Sequence, residues 1–304
     1  MNDLEISDEI LSFDPDTLER LPVRKSAVLQ KFAAQSNRRA MSIVREMADR
    51  NDILDPDAVD RRLIRVHCEM QRISEEFQHG QRVAELLRPI LEALRSTGVV
   101  RPIRIVDVGC GTGFVLRWLA ARGDLGNDVE LVGADYHPAL IGEAMRLAKK
   151  EDLRVTFRVA NAFRLDPPGS FYLSTGVVHH FRGEGLPAFF RSHDRPETRA
   201  FAHFDFLPSP MAPFGSWLFH AVRMRDPLAK HDGVVSAIRA YSGDELVRAA
   251  GDGAPGFVRA MYSTRLGILP IPRAFHSLVG LRPEYREAFL RALGPRRSRL
   301  GAWT

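Results

Sequence analysis

The 304-residue sequence has only two cysteines, Cys68 and Cys110, and no apolar run of 18 residues. Two cysteines cannot build a disulfide framework, and neither lies in a CxxC pair of the kind that binds zinc, so both are expected to be reduced thiols. The lack of a long apolar run argues against a transmembrane helix. Residues 1–10 are acidic and no apolar segment follows them, so we expect a cytoplasmic protein with no signal peptide and no membrane partner.

Lysine is also scarce, because only five of the 43 basic residues are lysines and the arginines are scattered along the chain. The 43 basic residues exceed the 38 acidic residues by five, which gives a net charge of +5 and a sequence pI near 9.5. Proteins that bind nucleic acid usually concentrate their basic residues, and no run of five basic residues occurs here. We therefore expect no nucleic-acid partner.

The composition, 45% apolar and 27% charged, is typical of a globular protein of one large domain or of a domain with an appendage. Residues 1–98 carry helical signals, because six apolar residues recur at intervals of four and three, as on one face of a helix. These residues are Val59, Leu63, Val66, Met70, Ile73 and Phe77. We predict that residues 1–98 form a helical region that caps the substrate.

After Pro102, short apolar runs alternate with helical segments, which indicates the doubly wound α/β class with a parallel sheet covered on both faces. The predicted strands cover residues 103–108, 130–134, 153–159, 171–175 and 200–206, with closing strands at 257–262 and 266–271. Residues 99–282 are predicted to form this domain, with a lid insertion at 208–240, and residues 283–304 a helix and basic tail. Ser242 and Glu245 form the capping-box pattern of a helix start.

The segment 103–113 is the most informative, because a predicted strand runs into Gly109, Gly111 and Gly113 and a helix is predicted to follow. Glycines at such a turn let the backbone approach a ligand, and the helix amino terminus offers unpaired N–H groups. Nicotinamide and flavin enzymes share the strand–GxG–helix pattern, but their fingerprint is GxGxxG and Phe114 stands where its third glycine belongs.

Two carboxylates refine the expected ligand. Asp135 ends the second strand, 28 residues after Asp107, where a carboxylate can accept both ribose hydroxyls of an adenosine. Asp107 precedes the glycine loop, and an acidic group there suits a ligand that carries an ammonium group.

Four segments in order resemble the motifs of the class I S-adenosylmethionine-dependent methyltransferases. They are residues 106–113 (VDVGCGTG), 132–136 (VGADY), 159–163 (VANAF) and 173–181 (LSTGVVHHF). The resemblance covers about residues 80–265. It implies a Rossmann-like seven-stranded sheet with helices on both faces, S-adenosyl-L-methionine as the cofactor, and methyl transfer as the activity.

The resemblance also implies which residues hold the cofactor: Asp107 would anchor the methionine amino group and Asp135 the ribose. The other implied cofactor contacts are Gly109, Cys110, Gly111 and Gly113 at the methionine moiety, Tyr136, Asn161, Ala162 and Phe163 at the adenine, and Thr175 and Gly176 below the sulfonium. Asn161 stands where the third motif usually has aspartate, but an amide oxygen still accepts a hydrogen bond from the adenine amino group.

His179 and His180 follow the fourth predicted strand, and Asp205 lies on the fifth together with His203 on the same side. Imidazole titrates near neutrality, so either histidine of the pair can take a proton from an acceptor. We place His180 first and His179 second as the catalytic base, with Asp205 as the carboxylate that orients it. No metal is expected, because Gly176 and His179 stand where metal-binding members of the resembled class carry glutamates.

The expected acceptor is a small molecule, and we favour O-methylation of a secondary-metabolite hydroxyl in natural product biosynthesis, by in-line displacement with histidine-assisted deprotonation. N- or C-methylation stays open, as do a non-catalytic cofactor-binding or regulatory protein of the same fold and an NAD-dependent oxidoreductase. A homodimer is compatible with the sequence. Residues expected at the acceptor are Phe214, Trp217, Phe219, Tyr241 and His231, with Arg223, Arg225 and Arg239 for an anionic group.

Overall fold

The computed structural model describes residues 3–263 and 274–304. The described helices are α1 (Ile6–Glu9), α2 (Lys25–Ala34), α3 (Arg38–Arg45), α4 (Pro56–Glu76), α5 (His79–Ser96), α6 (Phe114–Arg122), α7 (Pro138–Lys150), α8 (Gly185–Arg191), α9 (Ala212–Arg223), α10 (Pro227–Arg239), α11 (Gly243–Gly253) and α12 (Arg286–Leu293). The described strands are β1 (Asp49–Arg50), β2 (Ile53–Leu54), β3 (Ile103–Val108), β4 (Val129–Asp135), β5 (Thr156–Val159), β6 (Phe171–Thr175), β7 (Ala200–Phe206), β8 (Val258–Tyr262) and β9 (Phe275–Leu281). Within residues 3–263 and 274–304, none of the helices has the length and apolar character needed to cross a membrane.

The chain divides into two compact units whose boundaries differ from the predicted domains. Unit 1 comprises Met1–Ile73 and Pro208–Ala240, and unit 2 comprises Ser74–Leu207 and Tyr241–Thr304. The predicted helical region 1–98 is therefore divided between the two units, because the apolar side of α5 is buried in the core of unit 2. The tail at 283–304 also belongs to unit 2, where α12 packs against α5.

Seven of the described strands form one sheet in unit 2, in the order β5-β4-β3-β6-β7-β9-β8. Neighbouring strands from β5 to β7 are parallel, whereas β9 runs antiparallel to both β7 and β8. This confirms the predicted Rossmann-like, seven-stranded α/β sheet. The closing strand predicted at 266–271 lies within residues 264–273, outside the described residues, and the strand that pairs with β7 begins at Phe275.

Alternating side chains of the strands build a core on each face of the sheet. On one face, Ile103 and Ile105 lie in a buried apolar cluster with α5, α6 and α12. On the other face, Val106 and Val108 lie in a second cluster with α8 and α11. Each such side chain contributes about 1.5–3 kcal/mol of stability when it is fully buried. Because both faces of the sheet are covered, the strands after residue 102 are apolar on both faces, as their sequences predict.

In unit 1, the segment predicted as an aperiodic lid is the helix pair α9 and α10. The two helices approach closely at Gly233, where a Cβ atom would lie 2.0 Å from Nε2 of His220. Because α9 carries large apolar side chains at exposed positions and its buried residue is His220, no clean helical period is visible in its sequence.

Buried polar groups of unit 1 fasten α10 to residues near the amino terminus. Asp232 accepts hydrogen bonds from the backbone N–H groups of Ile6 and Ser7, both at 2.8 Å. His231 donates from Nδ1 to Asp232 at 2.8 Å and accepts from Asn37 at Nε2 at 2.9 Å. His231 was expected to contact the substrate, but both of its nitrogens are engaged in this buried network.

Arg239 is buried and lies 2.6 Å from a carboxylate oxygen of Asp8 and 3.5 Å from one of Glu5. Its charge is therefore matched inside unit 1, contrary to the expectation that it meets an anionic group of the acceptor. The burial of Glu5 near the amino terminus requires such a cation, because unpaired buried charges are strongly destabilising.

Candidate functional site

The glycine loop lies where the strand order of the sheet reverses. From β3 the chain first adds β4 on one side and later returns to add β6 on the other. Ligands of doubly wound sheets bind in the crevice at this reversal, outside the carboxyl ends of the strands. Asp135 ends β4 and Thr175 ends β6, so both lie at the same edge as the glycine loop.

The loop itself requires glycine. Gly109, Gly111 and Gly113 have φ angles of +70°, +54° and +73°, a region that other residues rarely adopt. The Gly109 N–H donates to the Ala134 carbonyl at 2.7 Å and so ties the loop to β4. A Cβ atom at Gly113 would lie 2.3 Å from the Phe157 ring. Helix α6 begins directly after Gly113, so its first N–H groups face the loop.

Cys110, within this loop, is a packing residue rather than a nucleophile. Burial, followed by the negative charges of Asp135 and Asp107, raises the pKa of its thiol well above the ordinary value. Its sulfur would lie 2.9 Å from a Cβ atom at Gly133. The thiol is therefore protonated at neutral pH, which removes the thiolate that reactive cysteines need.

Asp107 is the clearest chemical signal of the site. Its side chain is 2% exposed, and Oδ1 has no hydrogen-bond partner among the described residues. Burial and then the nearby Asp135 raise its pKa to about 8. Buried polar atoms are nearly always hydrogen-bonded, so an orphaned carboxyl oxygen beside a glycine loop indicates a missing hydrogen-bond donor.

Asp135 is held in place by backbone groups. Oδ2 accepts from the Gly111 N–H at 2.9 Å and Oδ1 accepts from the His137 N–H at 3.0 Å. A carboxylate has about four lone-pair positions, so each oxygen can accept one further bond from a hydroxyl. The geometry is therefore compatible with the implied ribose contact.

Two aromatic side chains near this edge are unusually exposed: Tyr136 at 42% and Phe163 at 41%. Between them in sequence, Asn161 accepts a hydrogen bond from the Phe163 N–H at 2.9 Å through Oδ1, which orients its amide. Ala162 is half-buried, and its carbonyl accepts from Ser192 at 3.0 Å. A flat aromatic ring such as adenine would cover the exposed aromatic surface.

The turn after β6 adjoins the glycine loop. Gly176 follows Thr175 with a φ of +67°, and its N–H donates to the Phe204 carbonyl at 2.8 Å. A Cβ atom at Gly176 would meet no heavy atom within 4 Å, so open space adjoins this position. A Cβ atom at Gly109 would instead lie 2.7 Å from Val177, which brings the two loops together.

S-adenosylmethionine fits these residues. Its ammonium group offers the charge and the hydrogen bond that Asp107 lacks, and the glycine loop admits a ligand close to the backbone. A dinucleotide would instead place a negatively charged pyrophosphate at the glycine loop beside Asp107, which like-charge repulsion disfavours when that carboxyl is ionised.

The predicted catalytic residues His179 and Asp205 form a buried pair. His179 donates from Nδ1 to Asp205 Oδ1 at 2.8 Å, and its backbone N–H donates to Oδ2 at 3.0 Å. Burial alone would raise the pKa of Asp205, but the His179 side chain and the N–H groups of Phe206 and His179 hold it below its ordinary value. Asp205 is therefore ionised, and it orients the imidazole so that Nε2 carries the lone pair.

The structure thus pairs Asp205 with His179, whereas the sequence reasoning placed His180 first. Both histidines lie in the short 3-10 helix Val178–His180, with ring centroids 4.4 Å apart. His180 is less buried than its neighbour. Two successive side chains of such a short turn cannot both point at the same carboxylate. Only one imidazole of the pair therefore donates a hydrogen bond to Asp205.

Three further imidazoles lie near enough to Asp205 to feel its charge, and two of them, His79 and His276, were missed from the sequence. Burial lowers the pKa of His79 to about 4 and that of His203 to about 3, and it lowers the pKa of His276 as well. His276 pairs with Asp205 across β7 and β9, and only knowledge of the β9 register would have revealed it. These three imidazoles are neutral near pH 7.

His203, predicted to share a side of β7 with Asp205, has a packing role. Its Nδ1 lies 2.8 Å from the Ser174 hydroxyl, and its ring lies among Phe189, Phe190 and Phe201 with centroids 5.1–5.5 Å apart. Tyr241, expected at the acceptor, donates its hydroxyl to the Phe181 carbonyl at 2.8 Å.

Comparison with known proteins finds similarity over part of the chain. Residues 105–195 match the family model described as "Methyltransferase domain". The chain is also similar to trans-aconitate 2-methyltransferase of Pseudomonas aeruginosa (strain UCBPP-PA14), with 32% identity over 100 residues, which are 32% of this chain and 34% of that protein. The corresponding protein of Pseudomonas paraeruginosa (strain DSM 24068 / PA7) is 33% identical over 94 residues, 30% of this chain and 32% of that protein. The chain thus matches about a third of the length of these curated relatives.

Solved structures share the fold. The plantazolicin methyltransferase BpumL, in complex with a monoazolic desmethylPZN analog and SAH, superposes with a TM-score of 0.52 at 11% identity, over 85% of this chain and 95% of that chain. The plantazolicin methyltransferase BamL gives a TM-score of 0.50 at 13% identity, over 73% of this chain and 96% of that chain.

Proposed function

We propose that the chain, in which residues 105–195 match a methyltransferase domain, is a class I S-adenosylmethionine-dependent methyltransferase that transfers the methyl group of S-adenosylmethionine to a small-molecule acceptor. Asp107 carries the proposal: a buried acid with an orphaned oxygen, beside three glycines of positive φ, needs a cationic ligand that reaches the backbone. The bound cofactor supplies an electrophilic methyl group on a positively charged sulfur. Asp107 binds the amino group, Asp135 orients the ribose, and the glycine loop lets the cofactor lie against the backbone.

His179 is the proposed general base. Asp205 accepts its Nδ1–H, so Nε2 takes the proton from the acceptor and the carboxylate stabilises the imidazolium that forms. The imidazoles of His79, His203 and His276 do not compete, because burial lowers their pKa values. His180 is the second candidate, since it adjoins His179 without sharing Asp205. A positioned base contributes about 10²–10⁴-fold to such a step.

An oriented base favours an acceptor whose nucleophilic atom carries a proton that must leave. A hydroxyl of a secondary metabolite meets this condition, and O-methylation is therefore the proposed reaction. A carboxylate, which the name trans-aconitate 2-methyltransferase indicates for the similar Pseudomonas proteins, is already ionised and needs no base. Amine and carbon acceptors are the alternatives within the same activity.

The experiment supplies S-adenosylmethionine to the full chain with separate panels of phenols, aliphatic alcohols, carboxylic acids and amines, and detects methylated product and S-adenosylhomocysteine by mass spectrometry. We expect products from hydroxyl acceptors, and His179→Ala should lower kcat by about 10²–10⁴-fold. His180→Ala is the matched control and should have the smaller effect.

Asp205→Asn tests the positioning role, because it keeps the shape of the side chain and removes its charge. We expect it to lower kcat with little change in the KM for the acceptor, since the imidazolium that forms during the transfer loses its stabilising carboxylate. Methylation of carboxylic acids alone, unchanged in His179→Ala, would overturn the base assignment. Cofactor binding without any methylated product would favour a non-catalytic cofactor-binding protein.

A further inference from the structure

A row of aromatic rings in unit 2 begins at the proposed base, and the chemistry described above does not use it. The ring of His179 meets Phe206 edge to face, with centroids 5.5 Å apart. The Phe206 ring lies 4.9 Å from Phe275, and the Phe275 ring lies 5.5 Å from Phe77 and 4.4 Å from His79, again between centroids. We name Phe206, Phe275, Phe77 and His79 together the aromatic wall.

The sheet places the aromatic wall at the edge where the cofactor site lies. Phe206 ends β7 and Phe275 begins β9, and the antiparallel register sets these two residues opposite each other. Because β7 runs parallel to β6, Phe206 lies at the same carboxyl edge as the turn that carries His179. His79 begins α5, and Phe77 lies two residues before it. Three separate segments of unit 2 therefore converge beside the proposed base.

The aromatic wall is not a closed part of the core. Phe206, Phe77 and His79 are half-buried, whereas Phe275 is buried, with 6% of its side chain exposed. Small-molecule sites are lined mostly by hydrophobic and aromatic side chains, with a few polar groups that fix the orientation of the ligand. The aromatic wall together with His179 has this composition.

The aromatic wall carries no charge near pH 7. Three of its members are phenylalanines, and burial, followed by the charge of Arg82, lowers the pKa of the His79 imidazole to about 4. An uncharged aromatic surface favours an aromatic ring, because a ring pair strengthens binding by about 2- to 12-fold beyond the effect of the buried area. An aliphatic ligand of the same size gains the buried area alone.

The proposed base favours the same kind of acceptor. A phenolic hydroxyl has a pKa of about 10, and an aliphatic hydroxyl is a far weaker acid. The efficiency of a general base depends on the driving force for proton transfer, so an imidazole removes the proton of a phenol more readily. His179, which Asp205 orients, is therefore better matched to a phenol than to an aliphatic alcohol.

From these observations we propose that the aromatic wall binds the ring of a phenolic acceptor and that phenols are the substrate class of this site, an inference that rests on the proposed methyl transfer to a hydroxyl. The ring lies against Phe206, and the phenol O–H gives its proton to Nε2 of His179. The oxygen gains the methyl group, and the electron pair of the broken carbon–sulfur bond stays on sulfur, which leaves S-adenosylhomocysteine.

The test compares β-naphthol with decahydro-β-naphthol, which has the same carbon skeleton and hydroxyl but no aromatic ring. Titration calorimetry measures the binding of each alcohol to the full chain loaded with S-adenosylhomocysteine, and mass spectrometry measures methylated product in the presence of S-adenosylmethionine. We expect β-naphthol to bind about tenfold more tightly and to have the higher kcat/KM. Equal affinities for the two alcohols would overturn the inference.

Substitutions of Phe206 test the wall directly. Phe206→Leu removes the ring and keeps the side chain apolar, so it should weaken β-naphthol binding by about 3- to 10-fold and leave the affinities for decahydro-β-naphthol and S-adenosylhomocysteine close to those of the parent. Phe206→Tyr keeps a ring and should retain the preference for β-naphthol. An undiminished preference in Phe206→Leu would overturn the role of the aromatic wall.

Trp303→Leu is the matched control, because Trp303 is a half-buried ring of unit 2 that packs against Phe289 and is not part of the aromatic wall. This variant should bind both alcohols as the parent does, and circular dichroism should show every variant folded.

Failure of the inference differs from failure of the proposed function. If aliphatic alcohols are bound and methylated as well as phenols are, the inference is wrong and the proposed methyl transfer stands. If S-adenosylhomocysteine does not bind, or if β-naphthol binds and no hydroxyl acceptor is methylated, the proposed function is wrong.

Discussion

Asp107→Asn removes one buried charge from the cofactor site with little change of shape. Burial and then Asp135 raise the pKa of Asp107 to about 8, against an ordinary value of 3.8. Between pH 3.8 and about pH 8, the Asp107 carboxyl keeps its proton in the folded protein and releases it in the unfolded chain. Asp107 therefore lowers the free energy of unfolding of the cofactor-free protein by about 1.4 kcal/mol per pH unit as pH rises, and this loss levels off above about pH 8.

At pH 7, roughly three pH units above the pKa of the unfolded chain, this loss of stability is on the order of 4 kcal/mol. Urea denaturation of the parent and Asp107→Asn from pH 5 to pH 9, without cofactor, measures it. The stability of Asp107→Asn relative to the parent should increase from pH 5 to about pH 8 and then stay constant. A difference that does not change with pH would refute the buried, protonated carboxyl.

The same substitution should weaken cofactor binding, because the ammonium group loses its charged partner. A charge-assisted hydrogen bond contributes about 1.5–3 kcal/mol, so the affinity for S-adenosylmethionine should fall about 10- to 150-fold. With the parent at pH 7, binding should also release roughly 0.9 proton, since the bound ammonium favours the ionised carboxylate. Titration calorimetry in buffers of different ionisation enthalpy measures this release, and equal affinities in parent and variant would contradict the assigned contact.

Two further substitutions test the fold around the site and in unit 1. Gly113→Ala should destabilise the protein by about 1–3 kcal/mol, because its φ is +73° and a Cβ atom would lie 2.3 Å from Phe157; Gly142→Ala, in open space on α7, should instead be neutral or stabilising by up to about 1 kcal/mol. Thermal unfolding compares them, and similar melting temperatures would count against the strained loop. Arg239→Met leaves the buried Glu5 carboxylate without its cation and should cost about 3–5 kcal/mol; urea denaturation giving a loss below about 1 kcal/mol would show that this pair is not needed.

The strands of the sheet could be predicted because their signal is local. The predicted limits 103–108, 171–175 and 200–206 are those of β3, β6 and β7. Strands buried on both faces appear as short apolar runs, and the turns between them carry glycine. The capping box of Ser242 and Glu245 was predicted for the same reason, since both of its hydrogen bonds join residues three apart.

The features that sequence reasoning missed depend on contacts between distant segments. Nothing local distinguishes His179 from His180, and the choice of Asp205 between them follows from the turn after β6. His276 reaches Asp205 only through the antiparallel register of β9 with β7. The helices α9 and α10 lacked a readable period because α9 carries large apolar side chains, such as Phe214, Trp217 and Val222, at exposed positions.

Titration calorimetry of the full-length protein with S-adenosylmethionine, S-adenosylhomocysteine and NADH decides whether the glycine loop holds the proposed cofactor. We expect one equivalent of S-adenosylmethionine or S-adenosylhomocysteine to bind the parent, weaker binding to Asp107→Asn, and no binding of NADH. Binding of NADH alone would contradict the account and favour an oxidoreductase.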